Sequence, residues 1–212
     1  RWSNQEDFTV FAPTALNTAG DQRLQIGTKI VAMISSREET IISTDEAIYG
    51  MTFVGAPFIF SFRLLGTDCG AAGLNTMINI DGDVYWMGRR NFFSYNGVVK
   101  ELVCPVQYFV FDRMQTDYID KVVVGHNKKF KEITFFYVSN DNSAGTINPE
   151  PDSYVTYNYI ENAWSIGTMD RTCWSDSFGA RDVPFAFDPD GLLYNHETGT
   201  SDNGASMNSF IE

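Results

Sequence analysis

The sequence predicts an all-β fold, a β-propeller-like series of about four four-stranded antiparallel sheets. Strand-like apolar runs separated by turn residues recur in four groups, whose first strands start about 46, 46 and 51 residues apart. Aromatic residues make up 15% of the 212 residues, and 17 Gly and 7 Pro accompany few helix-favouring runs. Asp81-Gly82 and Asn96-Gly97 are strong hairpin signals between apolar runs.

The first predicted group spans residues 29–65, with the strand-like runs KIVAMISS, TIIST, AIYGMTFVG and FIFSFRLL. The second spans residues 75–103, with NTMINI, DVYWMG, NFFSYNG and VVKELV. Two-residue hairpin turns are expected at Asp81-Gly82 and Asn96-Gly97, because these residues adopt positive φ readily. The first strand of a group should be the innermost and apolar on both faces, whereas the last should alternate.

One short helix is expected between the second and third groups, over Val106 to Met114 after Pro105. The third group spans residues 121–168, with KVVVGH, FKEITFFYV, SYVTYNYI and AWSIGTM, and its long polar loop runs from Ser139 to Asp152. The fourth, residues 172–212, is looser, with TCWSDSF, PFAF and LLYNHE.

The whole chain, residues 1–212, is interpreted as a single propeller domain or a propeller fragment. Four groups could close a ring if the run DFTVF at residues 7–11 paired with SMNSFIE at residues 206–212. Otherwise the chain is an arc of a larger ring. A β-sandwich also uses short, regularly spaced strands and is the competing fold. Because the chain opens on Arg1, we expect it to be a processed chain or a piece of a longer one.

The formal charge of −12 excludes some functions. Its long-range field has the wrong sign for a protein that grips nucleic acid by neutralising phosphates, or for a cationic membrane-surface protein. The sequence shows no signal peptide and no apolar run long enough to span a membrane. Cys69, Cys104 and Cys173 are widely spaced, and we expect three small buried hydrophobes kept reduced.

No catalytic, cofactor-binding or metal-ligating residue is predicted. His126 and His196 lie in no zinc motif, and no nucleophile elbow or phosphate-binding loop is present. Ser43-Thr44-Asp45 only faintly resembles the Asp-box turn of sialidases. Adjacent carboxylates, Glu38 with Glu39 and Asp45 with Glu46, would point to opposite faces of a strand. Turn chemistry accounts better than calcium for the Asp-rich turns, which are Asp81-Gly82-Asp83, Asn140-Asp141-Asn142 and Asp188-Pro189-Asp190-Gly191.

Two surface features each have a structural interpretation and a binding interpretation. Lys121, Lys128, Lys129 and Lys131 surround one predicted turn, and they either protect a sheet edge or dock a partner. The abundant Tyr and Trp first indicate core packing, with a sugar-binding or subunit-contact surface as the sharper alternative. These aromatic residues are Tyr85, Trp86, Tyr95, Tyr154, Tyr157, Tyr159, Trp164 and Trp174.

The segment VYWMGRRNFFSYNGVVKELVCPVQYFVFD, residues 84–112, resembles bacteriophage virion proteins of the tail hub, nozzle and DNA-stabilisation group. Residues 1–27, 49–70 and 154–174 resemble the same group, so the resemblance touches most of the chain. It implies a propeller, self-assembly in a ring around the DNA channel beneath the portal, and no enzymatic activity. It supplies no functional residues, because surfaces carry the role.

The resulting hypothesis is a structural virion protein of the tail or head-to-tail connector, assembled in the host cytoplasm. Its expected partners are other copies of itself in a ring and neighbouring tail or portal-associated proteins. DNA would pass through the channel without tight binding. The alternative is a carbohydrate-binding or glycan-cleaving β-propeller.

Overall fold

The chain is mostly β-strand. The computed structural model describes residues 1–143, 149–202 and 204–206. It is 45% strand and 8% helix, and the pairings between its named strands are antiparallel. The prediction of an all-β fold with very little helix is therefore confirmed.

The chain divides into two compact units, Arg1–Gln107 and Tyr108–Glu212. Unit 1 contains the first two predicted groups and unit 2 contains the other two. Whether the units together form one propeller domain stays a prediction.

Unit 1 is built from two four-stranded sheets, whose strand orders are β1-β2-β3-β4 and β5-β6-β7-β8. The predicted groups at residues 29–65 and 75–103 are thereby confirmed as sheets. The strands are β1 (Ile30–Ser35), β2 (Thr40–Thr44), β3 (Ala47–Gly55), β4 (Ile59–Thr67), β5 (Met77–Ile80), β6 (Asp83–Met87), β7 (Phe92–Tyr95) and β8 (Val99–Leu102).

The two sheets of unit 1 share one hydrophobic core. Ile41 and Ile48 from the first sheet belong to the same buried cluster as Val84, Trp86 and Phe93 from the second. The Trp86 ring is 0% exposed, stacks on Phe93 with 5.6 Å between ring centroids, and donates a hydrogen bond from Nε1 to the Cys69 carbonyl at 2.7 Å. A buried indole with its N–H satisfied is a strong anchor for both sheets.

Two hairpin turns were expected in the second sheet, at β5–β6 and β7–β8, and they differ from each other. Ile80 pairs with Asp83, so Asp81-Gly82 is the predicted two-residue turn, and both residues have positive φ. Tyr95 pairs with Val99, so the other loop has three residues and the two-residue prediction there is wrong. The reason is that Val99 packs against the core, which leaves the preceding valine exposed in the loop.

The expected burial order of the strands is wrong. β1 contains one buried residue, Ala32, whereas β2 is buried over four of its five residues. β1 lies at the edge of its sheet and β2 lies inside it. An edge strand has a neighbour on one side only, so the central strands bury more of their surface.

The β3–β4 hairpin projects beyond β2. β2 pairs with β3 only as far as Met51, whereas the pairing of β3 with β4 continues to Gly55 and Ile59. We call residues 52–61 the hairpin tip. Apolar side chains of the tip are exposed, at 68% for Phe53 and 77% for Phe58.

Residues 7–11 are not the predicted strand. The Asp7 carboxylate accepts hydrogen bonds from the amide (2.9 Å) and the hydroxyl (2.6 Å) of Thr9, a local arrangement that competes with strand pairing. The other half of the predicted closure falls mostly on residues 207–212, outside the described residues. The N-terminal segment is instead held by Trp2, which pairs with Gly20 and packs on Phe60 and Phe62.

Unit 2 contains a third four-stranded sheet in the order β12-β11-β10-β9, which confirms the predicted group at residues 121–168. Its strands are β9 (Val123–Asn127), β10 (Glu132–Tyr137), β11 (Ser153–Asn158) and β12 (Ala163–Thr168). The fourth group, residues 172–212, departs from the prediction of four strands. In its described part, β13 (Cys173–Ser175), β14 (Phe185–Phe187) and β15 (Leu193–Asn195) form one sheet, and β16 (Ser201–Asp202) pairs separately with β17 (Ala205–Ser206).

Trp174 joins the two main sheets of unit 2. It lies on β13, stacks on Phe136 with 5.8 Å between ring centroids, and donates from Nε1 to the His126 carbonyl of β9 at 2.9 Å. A Cβ at Gly125 would lie 2.5 Å from the Trp174 ring, so the close approach of the indole requires glycine there.

Helix is scarce, as expected. The predicted helix after Pro105 is confirmed as α1 (Gln107–Arg113). A 3₁₀ turn follows at Thr116–Lys121, and a short helix, α2 (Asn140–Ser143), begins inside the predicted polar loop. In the described part of the chain, no helix has the length and apolar character needed to cross a bilayer.

Candidate functional site

A polar pocket lies at one end of unit 1, where turns of both sheets meet. Its volume is 270 Å³. The β1–β2, β5–β6 and β7–β8 turns contribute to its wall, and β4 contributes one arginine. We call this pocket the turn groove; its lining residues are Ser36, Arg37, Glu38, Glu39, Arg63, Gly82, Asp83, Tyr95, Asn96 and Gly97.

Glu39 is the central residue of the turn groove. Its side chain is only 7% exposed. One carboxylate oxygen, Oε1, accepts a hydrogen bond from Arg63 Nη2 at 2.9 Å and another from the Tyr95 hydroxyl. Tyr95 belongs to the second sheet and Arg63 to the first, so this one oxygen links the two sheets.

The second carboxylate oxygen of Glu39 is differently placed. Oε2 lies over Gly50, where an added Cβ would overlap it. No described residue donates a hydrogen bond to Oε2, and no fully buried side-chain oxygen of the described residues lacks a partner. Oε2 therefore retains some accessible surface, on a side chain that lines the groove and is otherwise buried.

Burial, followed by the hydrogen bond to Glu39, raises the pKa of Tyr95 to about 12. Tyr95 therefore stays protonated at neutral pH and donates to the carboxylate. Arg63 supplies the compensating charge, which a buried carboxylate requires. The Glu39 carboxylate is thus held in a fixed position.

Arg37 forms the opposite wall of the turn groove. Its Nη2 donates to the Asp81 carbonyl at 2.9 Å and lies 4.0 Å from the Asp83 carboxylate. The side chains of Arg37 and Arg63 are 71% and 63% exposed, so the remaining guanidinium N–H groups face solvent. The groove therefore presents donors and acceptors side by side.

A second pocket, of 360 Å³, lies at the other end of the same strands. Asp45 in its wall accepts hydrogen bonds from the hydroxyl (2.5 Å) and the amide (2.7 Å) of Thr28, and these bonds, the hydroxyl's first, lower the pKa of Asp45 to about 2. Its other lining residues are Glu46, Asp68, Gly70, Arg89, Arg90, Asn91 and Phe93. Asp45 thus stabilises a turn and anchors the N-terminal segment through Thr28.

The adjacent carboxylates lie in turns, so the condition that would separate them, a straight strand, does not apply to them. Glu38 and Glu39 both line the turn groove, and Asp45 and Glu46 both line the second pocket. Because a turn reverses the chain, neighbouring side chains can face the same space. Ser43 and Thr44 end β2, and Asp45 begins a structural turn that Thr44 Oγ1 stabilises by accepting a hydrogen bond from the Ala47 amide at 2.8 Å.

The two histidines lie in unit 2. His126 Nε2 lies 3.2 Å from the Tyr159 hydroxyl, and its Nδ1 lies 3.4 Å from Asp176 Oδ2. His196 accepts a hydrogen bond from Arg171 Nε at 3.0 Å and contacts Trp174. Both imidazoles thus contact neighbouring side chains of unit 2, as expected for histidines with a structural role.

Other sequence candidates are scattered. In the described residues, no group of three or more His, Cys, Asp or Glu side chains could hold a metal ion. Asp188 caps its own turn by accepting a hydrogen bond from the Leu192 amide at 2.8 Å. Lys121 pairs with Glu150 at 2.6 Å.

Cys69 and Cys104 are buried free thiols, but Cys173 is exposed, so its predicted burial is wrong.

Sequence reasoning missed the turn groove as a site. The sequence indicates Glu39 only as a neighbour of Glu38, whereas its hydrogen-bond partners lie 24 and 56 residues away along the chain. No local motif connects such residues. The sequence matches no protein-family model and no curated protein.

Proposed function

We propose that the chain is a structural virion protein of a bacteriophage tail or head-to-tail connector, with a hub, nozzle or DNA-stabilisation role. In this proposal the four-stranded sheets are blades of a β-propeller, alone or as part of a larger ring. Copies assemble around the DNA channel and contact other tail or portal-associated proteins. The sequence resemblance over residues 84–112 and three further segments supports the proposal.

The observation that carries the proposal is the hairpin tip. Phe53, Val54 and Phe58 are 68%, 52% and 77% exposed on a hairpin that projects beyond its sheet. Trp2 packs on Phe60 of the tip and on the neighbouring Phe62, with centroid distances of 5.3 and 5.8 Å. Clustered exposed apolar side chains are typical of interaction surfaces. A preformed hairpin loses little entropy on docking.

The charge of the chain fits a channel that lets DNA pass. At −12, a subunit repels phosphate at close range and does not release counterions by neutralising it. Assembly then depends on apolar and polar contacts such as those of the hairpin tip. The chain should show no measurable affinity for duplex DNA in a mobility-shift assay at about 150 mM salt. Submicromolar binding would overturn the channel role.

The deciding experiment asks whether the chain is part of particles. Virions from a phage carrying this open reading frame are purified and analysed by mass spectrometry, and the complete gene product is imaged by negative-stain microscopy. We expect peptides of this chain at a fixed ratio to the portal protein, and ring-shaped particles.

Variants locate the contact surface. Phe53→Ser with Phe58→Ser should abolish the rings, whereas Leu16→Ser, at a residue 99% exposed outside the tip, should not. Absence of the chain from virions would refute the structural role. Turnover of a glycan substrate by the isolated chain would also refute it and favour the alternative function of a glycan-cleaving propeller.

A further inference from the structure

The turn groove contains more hydrogen-bonding capacity than the fold itself uses. Glu39 Oε2 receives no hydrogen bond from any described residue, although its side chain is 93% buried, the complement of its 7% exposure. The polar groups around it are the Arg37 and Arg63 guanidinium groups and the Glu38 and Asp83 carboxylates. Convergent polar side chains that line a small cavity are a feature of ligand-binding sites.

The charges in the groove decide which ligand fits. An anion would meet Glu39 Oε2 together with the Glu38 and Asp83 carboxylates, and like charges at short range are unfavourable. A cation that approached Oε2 would come close to Arg63, whose Nη2 is 2.9 Å from Oε1 of the same carboxylate. A neutral ligand avoids both repulsions.

The ligand must also donate and accept hydrogen bonds within a small space. Hydroxyl groups do both, since each donates one hydrogen bond and accepts others. They can donate to Glu39 Oε2 and accept from the exposed guanidinium N–H groups of Arg37 and Arg63. The volume of 270 Å³ is near the lower limit for small-molecule pockets, which suits a single ring.

We propose that the turn groove is a binding site for one sugar ring, with Glu39 Oε2 as the principal acceptor of a ligand hydroxyl. In this proposal the site binds and does not cleave, since Oε1 of Glu39 is occupied by Arg63 and Tyr95 as a link between the two sheets. This inference does not depend on the proposed virion role: sugar binding without turnover is compatible with a structural protein.

Two substitutions change the site in different ways. Glu39→Gln keeps the size of the side chain but removes its charge. Gly50→Ala keeps every charge, but its new Cβ overlaps the position of Oε2 and displaces the carboxylate. Glu101→Gln is the matched control, because Glu101 is an exposed carboxylate on β8 outside the groove.

The probes are free D-glucose, D-galactose, D-mannose and N-acetyl-D-glucosamine, titrated into the full chain and followed by saturation-transfer NMR and by backbone amide shifts. We expect at least one sugar to bind with a Kd of about 1 mM, with shifts at the Gly82 and Gly97 amides. Both groove variants should weaken binding by about 10-fold or more, and Glu101→Gln should not. Far-UV circular dichroism checks that each variant folds.

Several outcomes would overturn the proposal. The proposal is wrong if none of the four sugars shows saturation transfer at about 20 mM, which is roughly twentyfold above the expected Kd. Sugar binding that survives both groove variants would place the site elsewhere. Tighter binding of tetralysine or of inorganic phosphate at the same amides would mean that the groove is a charge-pairing site and not a sugar site.

Discussion

Replacing Trp86 with alanine tests whether the two sheets of unit 1 depend on a shared core. The indole is 0% exposed, stacks on Phe93, and satisfies the Cys69 carbonyl through a 2.7 Å hydrogen bond. Truncation of a buried aromatic residue costs about 3–5 kcal/mol, and the carbonyl that loses its donor moves the expected value toward the upper end. We expect the free energy of unfolding to fall by about 4 kcal/mol, a large share of the stability of a typical domain.

Two further variants separate the contributions. Trp86→Phe keeps an aromatic ring but leaves the Cys69 carbonyl without its donor, and should cost about 1–3 kcal/mol. Phe58→Ala removes a ring that is 77% exposed and should change stability by no more than about 0.5 kcal/mol. Urea unfolding followed by far-UV circular dichroism gives all three values, provided that the m-value is unchanged. Equal unfolding midpoints for Trp86→Ala and Phe58→Ala would refute the shared core.

Three other measurements follow from single residues. Gly97→Val should destabilise the chain by at least ~1 kcal/mol, because φ is +103° and no atom lies within 4 Å of an added Cβ, so backbone strain is the cause; an unchanged Tm would contradict this. Native-state thiol labelling should modify Cys173 first, since burial raises the pKa of Cys69 and Cys104 to about 11. Equal labelling rates for the three thiols would contradict that assignment. Burial, followed by the Arg171 charge, lowers the pKa of His196 from 6.5 to about 4. Between these values the unfolded chain binds the proton more readily, so stability should fall as pH drops through this window. His196→Gln should flatten the pH dependence measured by urea unfolding, and a slope that survives the substitution would exclude this histidine as the cause.

Hairpin signals made most of the fold predictable. A turn such as Asp81-Gly82 needs positive φ at both positions, and few residues adopt it without cost. Because such turns separate short apolar runs, the sequence reveals the groups that become the first three sheets. The fourth group is less regular, and its described part forms a three-stranded sheet and a separate ribbon. There the strands have two or three residues, too few for the alternation of side chains to be read.

The wrong predictions have a common physical cause. The local pattern of apolar and polar residues does not determine which residues surround a segment in the folded chain. β1 is as apolar as an interior strand, yet it lies at a sheet edge and is largely exposed. Residues 7–11 alternate like a strand, yet the Asp7 carboxylate satisfies the Thr9 amide locally. Burial of a residue depends on its neighbours across the sheet, and those come from distant parts of the sequence.

Glu39 shows how one residue can serve the fold and still offer a site. Its Oε1 accepts hydrogen bonds from Arg63 of the first sheet and Tyr95 of the second, so the carboxylate links the sheets where their turns meet. A carboxylate has two oxygens in one rigid plane, and fixing the first also fixes the second. Gly50 leaves the space that Oε2 occupies. The same hydrogen bonds that hold the sheets together therefore preorganise an acceptor in the turn groove, and preorganisation lowers the entropy lost when a ligand binds.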